Sequence, residues 1–393
     1  MKWNLGVFFG GASVEHEVSV ISALQAMNNM KGEGYHIIPV YMAKNGGFYT
    51  GEGLRKIENF KDIPALLAQC MQVTFVNENG VVKMVELRPR RFKKAMEQTI
   101  DFAFPVVHGT NCEDGSLQGF FEVLGLPYAG CDVVSSAVGM DKVLFKQVMA
   151  ESGLPVVPGV SFYAREFVAD RDSVLEKIEA LGYPVIVKPA NLGSSVGISK
   201  ADNRTVLLEK IQLASSFAPK LLVEKAVTGL REINCSVVGD VNNCTPSVCE
   251  EPVMSDEILS YSDKYQRGSG KNKNSGMASL DRMIPAPISE EKRKEICDLS
   301  CKVFKALGCN GVVRIDYLMD TNDNDKVYVN EINTIPGSLS FYLWEPAGKK
   351  YPDLLEEIIA CGMKRKRERE QLMFTYDTNI LANGSFGAKG CKK

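Results

Sequence analysis

The stretch VVRIDYLMDTNDNDKVYVNEINTIPG, residues 312–337, decides how the rest of the chain is read. Two hydrophobic, β-branched runs flank a tip rich in Asp and Asn, which is the pattern of a β-hairpin. Inside the runs, Arg314 stands two residues from Asp316, and Glu331 two residues from Asn333. Residues two apart on a strand share a face. Each strand therefore pushes polar groups out of one otherwise apolar face. Carboxylates gathered on one face repel one another unless a cation stands between them. Asp316, Glu331 and Asn333 offer hard oxygen ligands of the kind Mg²⁺ takes, and Mg²⁺ keeps sites open for water or phosphate. Arg314 beside them suits a phosphoryl group in transfer. A half-exposed strand carrying an Arg–Asp pair would show the same alternation.

Composition bounds what surrounds this hairpin. The chain has 393 residues, which suits two or three domains, and 45% hydrophobic and 24% charged content are ordinary globular values. A formal net charge of −2 gives no global field for nucleic acid or an anionic membrane. No apolar run reaches the roughly 18 residues needed to span a bilayer. The opening MKWNLGVFFGGASVEHEVSV breaks into a strand and a Gly-Gly turn, unlike a secretion signal. The 11 cysteines are scattered in apolar or mixed sequence, with no C-x-x-C pair and three histidines in all. That argues against a zinc site, and for a reducing cytoplasm in which most thiols are small buried hydrophobes.

Strands alternating with helices over about residues 1–130 predict a parallel-sheet, Rossmann-like first domain. Within it, MQVTFVNENGVVKMVEL reads as a hairpin with an Asn-Gly turn. Residues 131–227 read as a small α+β module, opened by a helix with Asp141 at its N-cap. A third unit over 228–362 holds the first-quoted hairpin and a polar insert, YQRGSGKNKNSGMASL, read as a mobile loop. Residues 363–393 read as a charged helix end and a tail, with Lys364–Arg367 a solvated helix face.

Four further stretches carry chemistry. In VIVKPANLGSSVG, Lys188 ends an apolar strand, and Gly193, Ser194, Ser195 and Gly197 make a loop whose amides and hydroxyls suit phosphate. The lysine precedes the glycines, which excludes a P-loop; an ordinary β-turn is the plain alternative. In EKAVTGLRE, Glu224 closes a strand and Glu232 follows, placed to hold ribose hydroxyls beside an adenine, or merely to lie on the surface. In GGASVEHE, glycines before a helix make an anion-friendly end while Glu15 and Glu17 suit an ammonium, so the pair of features fits a zwitterionic amino acid. His108, in VVHGTNCEDG, ends another strand, where ligands collect in α/β sheets and where structural histidines also sit.

From residue 5 to about 337, the ordered set GGASVEHEVS, HGTNCEDGSLQG, GMDK, PVIVKPANLGSSVG, LLVEK, DKY, RID and NEINTIPG resembles the D-alanine–D-alanine ligase family of the ATP-grasp superfamily. The resemblance implies an ATP-grasp fold, α/β and α+β, behind a Rossmann-like domain. It implies ATP and two Mg²⁺ (or Mn²⁺), amino acid substrates, a cytoplasmic location and a homodimer. Lys142 and Lys188 would hold ATP phosphates under the loop of Gly193, Ser195 and Gly197. Glu224, Val227 and Glu232 would hold adenosine. Asp316, Glu331 and Asn333 would bind the metals. Glu15 would take the first ammonium in a set with Ser194 and Tyr265, Lys264 would touch phosphate, and His108 would sit near the first substrate. Arg314 and the Gly337 amide would stabilise the tetrahedral oxyanion.

After Gly337 the chain departs from the family pattern, reading SLSFYLWE over residues 338–345. Tyr342 falls where the family places a small hydroxyl residue that holds the second substrate's carboxylate. Ser340 or the Tyr342 hydroxyl would then take over that contact. The expected activity is ligation of D-Ala to D-Ala for peptidoglycan precursors. The alternatives are a different second substrate, such as D-Ser or a larger amine, and a nucleotide-binding regulator that has lost ligation.

Overall fold

A computed structural model of the chain describes residues 2–89, 95–193, 196–252 and 282–373. Ser194, Ser195, Lys264, Tyr265 and the insert at 265–280 lie outside the described residues.

The first sheet runs β6-β5-β4-β3-β2-β1-β7. Its strands are β1 (Trp3–Gly10), β2 (Tyr35–Met42), β3 (Phe48–Thr50), β4 (Met71–Glu78), β5 (Val81–Glu86), β6 (Glu97–Thr99) and β7 (Phe102–Val107). Only the pairs β1–β2 and β1–β7 are parallel; the rest are antiparallel. The expected parallel pairing forms among β2, β1 and β7, and antiparallel strands that include the expected hairpin extend it into a mixed sheet. The parallel strands read as continuous apolar runs because both their faces are covered, and all six residues of β7 are buried. The expected hairpin forms between β4 and β5, with Asn79 and Gly80 both at positive φ, as a type I′ turn requires. Helices α1 (His16–Asn29), α2 (Ile63–Gln69) and α3 (Ser116–Leu124) belong to this part.

Next come α4 (Val133–Met140) and α5 (Lys142–Glu151), joined at Asp141, whose carboxylate accepts from the Val143 and Leu144 amides as the N-cap of α5. A four-stranded antiparallel sheet follows in the order β10-β9-β11-β8, from β8 (Gly159–Tyr163), β9 (Val185–Pro189), β10 (Ser199–Ala201) and β11 (Lys220–Lys225). It is backed by α6 (Ala164–Ala169), α7 (Arg171–Glu179) and α8 (Arg204–Ser215).

The last sheet is β14-β13-β12-β15-β16, from β12 (Leu230–Gly239), β13 (Cys244–Pro252), β14 (Arg282–Met283), β15 (Gly311–Asp320) and β16 (Lys326–Asn333). Strands β15 and β16 are the hairpin read from the sequence, with Arg314 opposite Asn333 and Asp316 opposite Glu331. Helix α9 (Glu290–Ala306) covers the back of this sheet, packing Ile296, Val303 and Phe304 into its core. After a short α10 (Phe341–Trp344), α11 (Tyr351–Glu370) returns to bury Leu354, Leu355, Ile358 and Ile359 in the first domain's core. The basic run at the end of α11 is only partly solvated: Lys364 pairs with Asp240 at 2.6 Å, and Arg365 donates to the Gly130 and Tyr128 carbonyls.

Candidate active site

A cleft between the sheets is lined by Glu15, Gly109, Glu113, Lys142, Gly193, Glu331, Asn333 and their neighbours. Residues from five separate stretches thus meet in one place. Glu15 precedes α1 and reaches Gly109, whose left-handed backbone lets the two approach: a Cβ there would stand 2.9 Å from Glu15 Oε2. Glu17 turns the other way and pairs with Lys44 on the surface, so only one of the two glutamates faces the cleft.

On the floor, the bidentate pair of Arg314 and Asp316 (both contacts 2.7 Å) lies flat on the sheet, and the Asn333 amide donates to Asp316 Oδ2 at 3.1 Å. Burial pushes the Asp316 carboxyl above its ordinary range, with Arg314 opposing and the Glu331 and Glu250 charges adding to it. Lys142 closes the side, with Nζ 3.2 Å from Glu331 Oε2 and donating to the Leu192 carbonyl at 2.8 Å. A cationic, donor-rich rim thereby faces a floor of hard oxygen donors. That is the arrangement phosphoryl transfer needs.

Lys188 and Glu224 lie at the far end of β9 and β11. Glu224 is 1% exposed and accepts two ammonium groups, Lys146 at 2.5 Å and Lys188 at 2.6 Å. Burial alone would raise its pKa, and the two lysines outweigh it and hold the carboxylate ionised. Lys188 also donates to Asn330 Oδ1 at 3.1 Å, and Glu232 is near enough to add to its charge stabilisation. Val227 is half-buried just past β11. At Gly197, φ is +74° and a Cβ would meet Pro189 Cγ at 2.8 Å, so the turn after β9 requires glycine.

His108 lies buried behind the cleft. Its Nδ1 donates to the Ile335 carbonyl at 2.8 Å, which leaves Nε2 to accept from the Ser22 hydroxyl at 3.2 Å. Burial lowers its pKa, so the ring is neutral. Ser22 in turn accepts from the Ser338 amide at 2.9 Å. Residues 337–340, from Gly337, form a tight turn in which Ser338, Leu339 and Ser340 all have φ near +50°. The Ser340 hydroxyl is fully buried in it. The Tyr342 ring lies under Arg282, 4.2 Å from its guanidinium carbon, and the hydroxyl points to Glu250 Oε1 at 3.4 Å. Trp344 Nε1 donates to Ser236 Oγ at 3.1 Å and anchors the segment to β12.

Two groups of this site stood outside the sequence reading. Glu113 accepts from the Gly109 amide at 2.7 Å and the Ile335 amide at 3.1 Å, tying the end of β7 to the chain after β16. Burial first, and Glu15 second, raise its pKa to about 8. Lys146, one helical turn beyond Lys142, is the other; burial lowers its pKa.

An open antiparallel sheet carrying two carboxylates, an amide and an arginine, beside Lys142 of α5 and Lys188 of a second antiparallel sheet, defines a nucleotide-dependent enzyme of the ATP-grasp class. The family described as D-ala D-ala ligase N-terminus matches residues 4–131, and D-ala D-ala ligase C-terminus matches residues 148–360. The D-alanine–D-alanine ligase of Thermosipho melanesiensis is 39% identical over 380 residues, 96% of this chain and 98% of that one. The corresponding ligase of Thermoanaerobacter sp. strain X514 is 41% identical, covering 94% of this chain and 98% of its own. Among solved structures, the D-alanine–D-alanine ligase of Coxiella burnetii is 29% identical with a TM-score of 0.76, covering 94% of this chain and 96% of its own. The VanG D-Ala:D-Ser ligase of Enterococcus faecalis is 30% identical with a TM-score of 0.75, covering 92% of this chain and 100% of its own. The chain belongs to the D-alanine–D-alanine ligase family. The family models, the two curated relatives and the Coxiella enzyme favour ligation of D-Ala to D-Ala over a different second substrate or a regulator without turnover.

Proposed function

We propose that this chain joins two D-alanines at the expense of ATP, and that the cleft between Glu15 and the Arg314–Asp316 floor is where it does so. The observation that carries the reading is the meeting of Glu15, Lys142, Glu331 and Asn333 in one cleft, with the Arg314–Asp316 pair on the strand next to Glu331 and Asn333. Glu15 holds the first ammonium and so aims the amino acid's carboxylate at the γ-phosphate. Lys142 and Lys188 offset phosphate charge, with Gly193, Ser195 and Gly197 in the covering loop. Glu224, Val227 and Glu232 hold the adenosine. Asp316, Glu331 and Asn333 fit Mg²⁺ or Mn²⁺, since burial first and the neighbouring carboxylates after it disfavour the ionised Asp316, and a divalent cation among these oxygens would offset both. Bound there, the metal supplies charge neutralisation at phosphoryl oxygens.

The carboxylate oxygen takes the phosphoryl group, ADP leaves, and an acyl phosphate remains. The second amine attacks the acyl carbon and loses a proton as phosphate departs. Arg314 and the Gly337 amide face the oxyanion of that step. Ser194, Tyr265 and Lys264 belong to the same reading as closing groups, because an acyl phosphate must be kept from water. The second seat lies at the 337–340 turn, with Ser340 and Tyr342 shaping it and His108 supporting it from behind.

The test is phosphate release from Mg-ATP with D-Ala, then with D-Ala plus D-Ser, D-lactate or larger amines, with products identified by mass. D-Ala-D-Ala as the main product is expected. A mixed product formed in preference would move the assignment of the second substrate. Nucleotide binding without turnover would overturn the activity.

A further inference from the structure

The last sheet has a second face. Cys235 on β12 stands directly opposite Cys249 on β13, and Cys297 comes up from α9. The three sulfurs lie within 4.8 Å of one another. One ion among them would be within about half an ångström of the ~2.3 Å thiolate bond length to all three. Between Cys235 and Val237 the register of β12 on β13 shifts by a bulge. The Ser247 carbonyl oxygen lies 3.8 Å from Cys235 Sγ and 3.9 Å from Cys297 Sγ, close to the fourth corner of a tetrahedron on these sulfurs. The Ser236 amide holds Ser247 in place through its hydroxyl, at 3.0 Å.

Chemistry selects among ions. Soft thiolates favour Zn²⁺ over Mg²⁺, which takes oxygen. Three thiolates and one divalent ion leave a single negative charge, and the Arg293 guanidinium acts on both Cys297 and Cys249. Cys235 and Cys249 are sealed in the core, whereas Cys297 is half-buried and gives the ion a way in. Local spacing alone argues against zinc in this sequence, because the three ligands come from separate elements.

We propose that Cys235, Cys249 and Cys297, with the Ser247 carbonyl as fourth ligand, form a thiolate site for Zn²⁺ behind the sheet that carries Arg314 and Asp316. Each thiol gives its proton to solvent as its sulfur binds. The ion clamps α9 to β12 and β13.

The full chain, reduced and stripped of metal, is titrated with Zn²⁺ against a chromophoric chelator, and with Cd²⁺ while thiolate-to-metal absorption is followed. One ion per chain is expected, with a higher melting temperature and Cys297 protected from alkylation. Cys297→Ser should weaken binding by more than the tenfold to hundredfold that losing an outer partner costs. Cys301→Ser and Glu331→Gln should bind as the unaltered chain does. Absence of the Cd²⁺ band, a band untouched by Cys297→Ser, or binding lost in Glu331→Gln would overturn the site. Alkylation of Cys297 in the unaltered chain tests the site even where a variant fails to fold; reaction at the same rate with and without Zn²⁺ would also overturn it.

Discussion

A carboxyl buried from water beside a second carboxylate holds its proton into the neutral range even against two backbone amides that favour its ionised form, and Glu113 is such a group. The folded chain keeps a proton there until about pH 8, whereas the unfolded carboxyl releases it near 4.5. This group's contribution to stability is therefore full below about pH 4.5, falls as pH rises and levels off above about 8. Replacing it with glutamine should remove that part of the slope, so the urea midpoint of Glu113→Gln should decline less between about pH 5 and pH 8 than that of the unaltered chain. Equal declines would show that burial does not hold the proton. Glu331→Gln makes a different point. It keeps the shape and loses a ligand charge, so turnover should fall by about a hundredfold or more and need more Mg²⁺. Unchanged kinetics across a Mg²⁺ titration would remove Glu331 from the metal set. Glu331 was legible because alternation on a strand announces a face. Glu113 was not: HGTNCEDG offers several polar residues in a loop, and only the fold decides which one is buried.

Elements that satisfy themselves locally were the ones the sequence announced. The β15–β16 hairpin and the Asn-Gly turn of β4–β5 needed no distant partner to be recognised. Which sheet a hairpin joins is a long-range matter, and the mixed first sheet followed from pairing that no local pattern encodes. The turn at 337–340 is of the same kind. Left-handed residues other than glycine cost roughly 1–2 kcal/mol each, and nothing in SLS predicts three in a row. Ser340→Gly should relieve that strain and remove a buried hydroxyl, leaving the melting temperature equal or higher. If Ser340 shapes the second seat, the same variant should raise the KM for the second D-Ala with little change in the KM for ATP. A lower melting temperature with unchanged kinetics would refute both parts.

Across the whole molecule, α11 binds the first domain to the last sheet. Lys364 pairs with Asp240 at the end of β12, while Arg365 donates to the Gly130 and Tyr128 carbonyls of the first domain, its guanidinium carbon 4.4 Å from the Tyr128 ring centre. Arg365→Ala leaves two carbonyls without this donor and should cost about 2–4 kcal/mol in urea unfolding. Steady-state constants should hardly change, because the residue lies far from the cleft; a variant as stable as the parent would show the contact to be superficial. A run such as KRKR reads as a solvated face because charge says nothing of what lies beneath it. The same whole-molecule view bears on the turn at 337–340. Its Ser338 is held by Ser22 and Gln25 of α1, 316 and 313 residues earlier in the chain. A growing polypeptide makes α1 long before the turn, so the acceptor seat proposed there takes shape only once both segments are made and have met. On that proposal, a fragment cut short before residue 338 would lack the means to choose an acceptor.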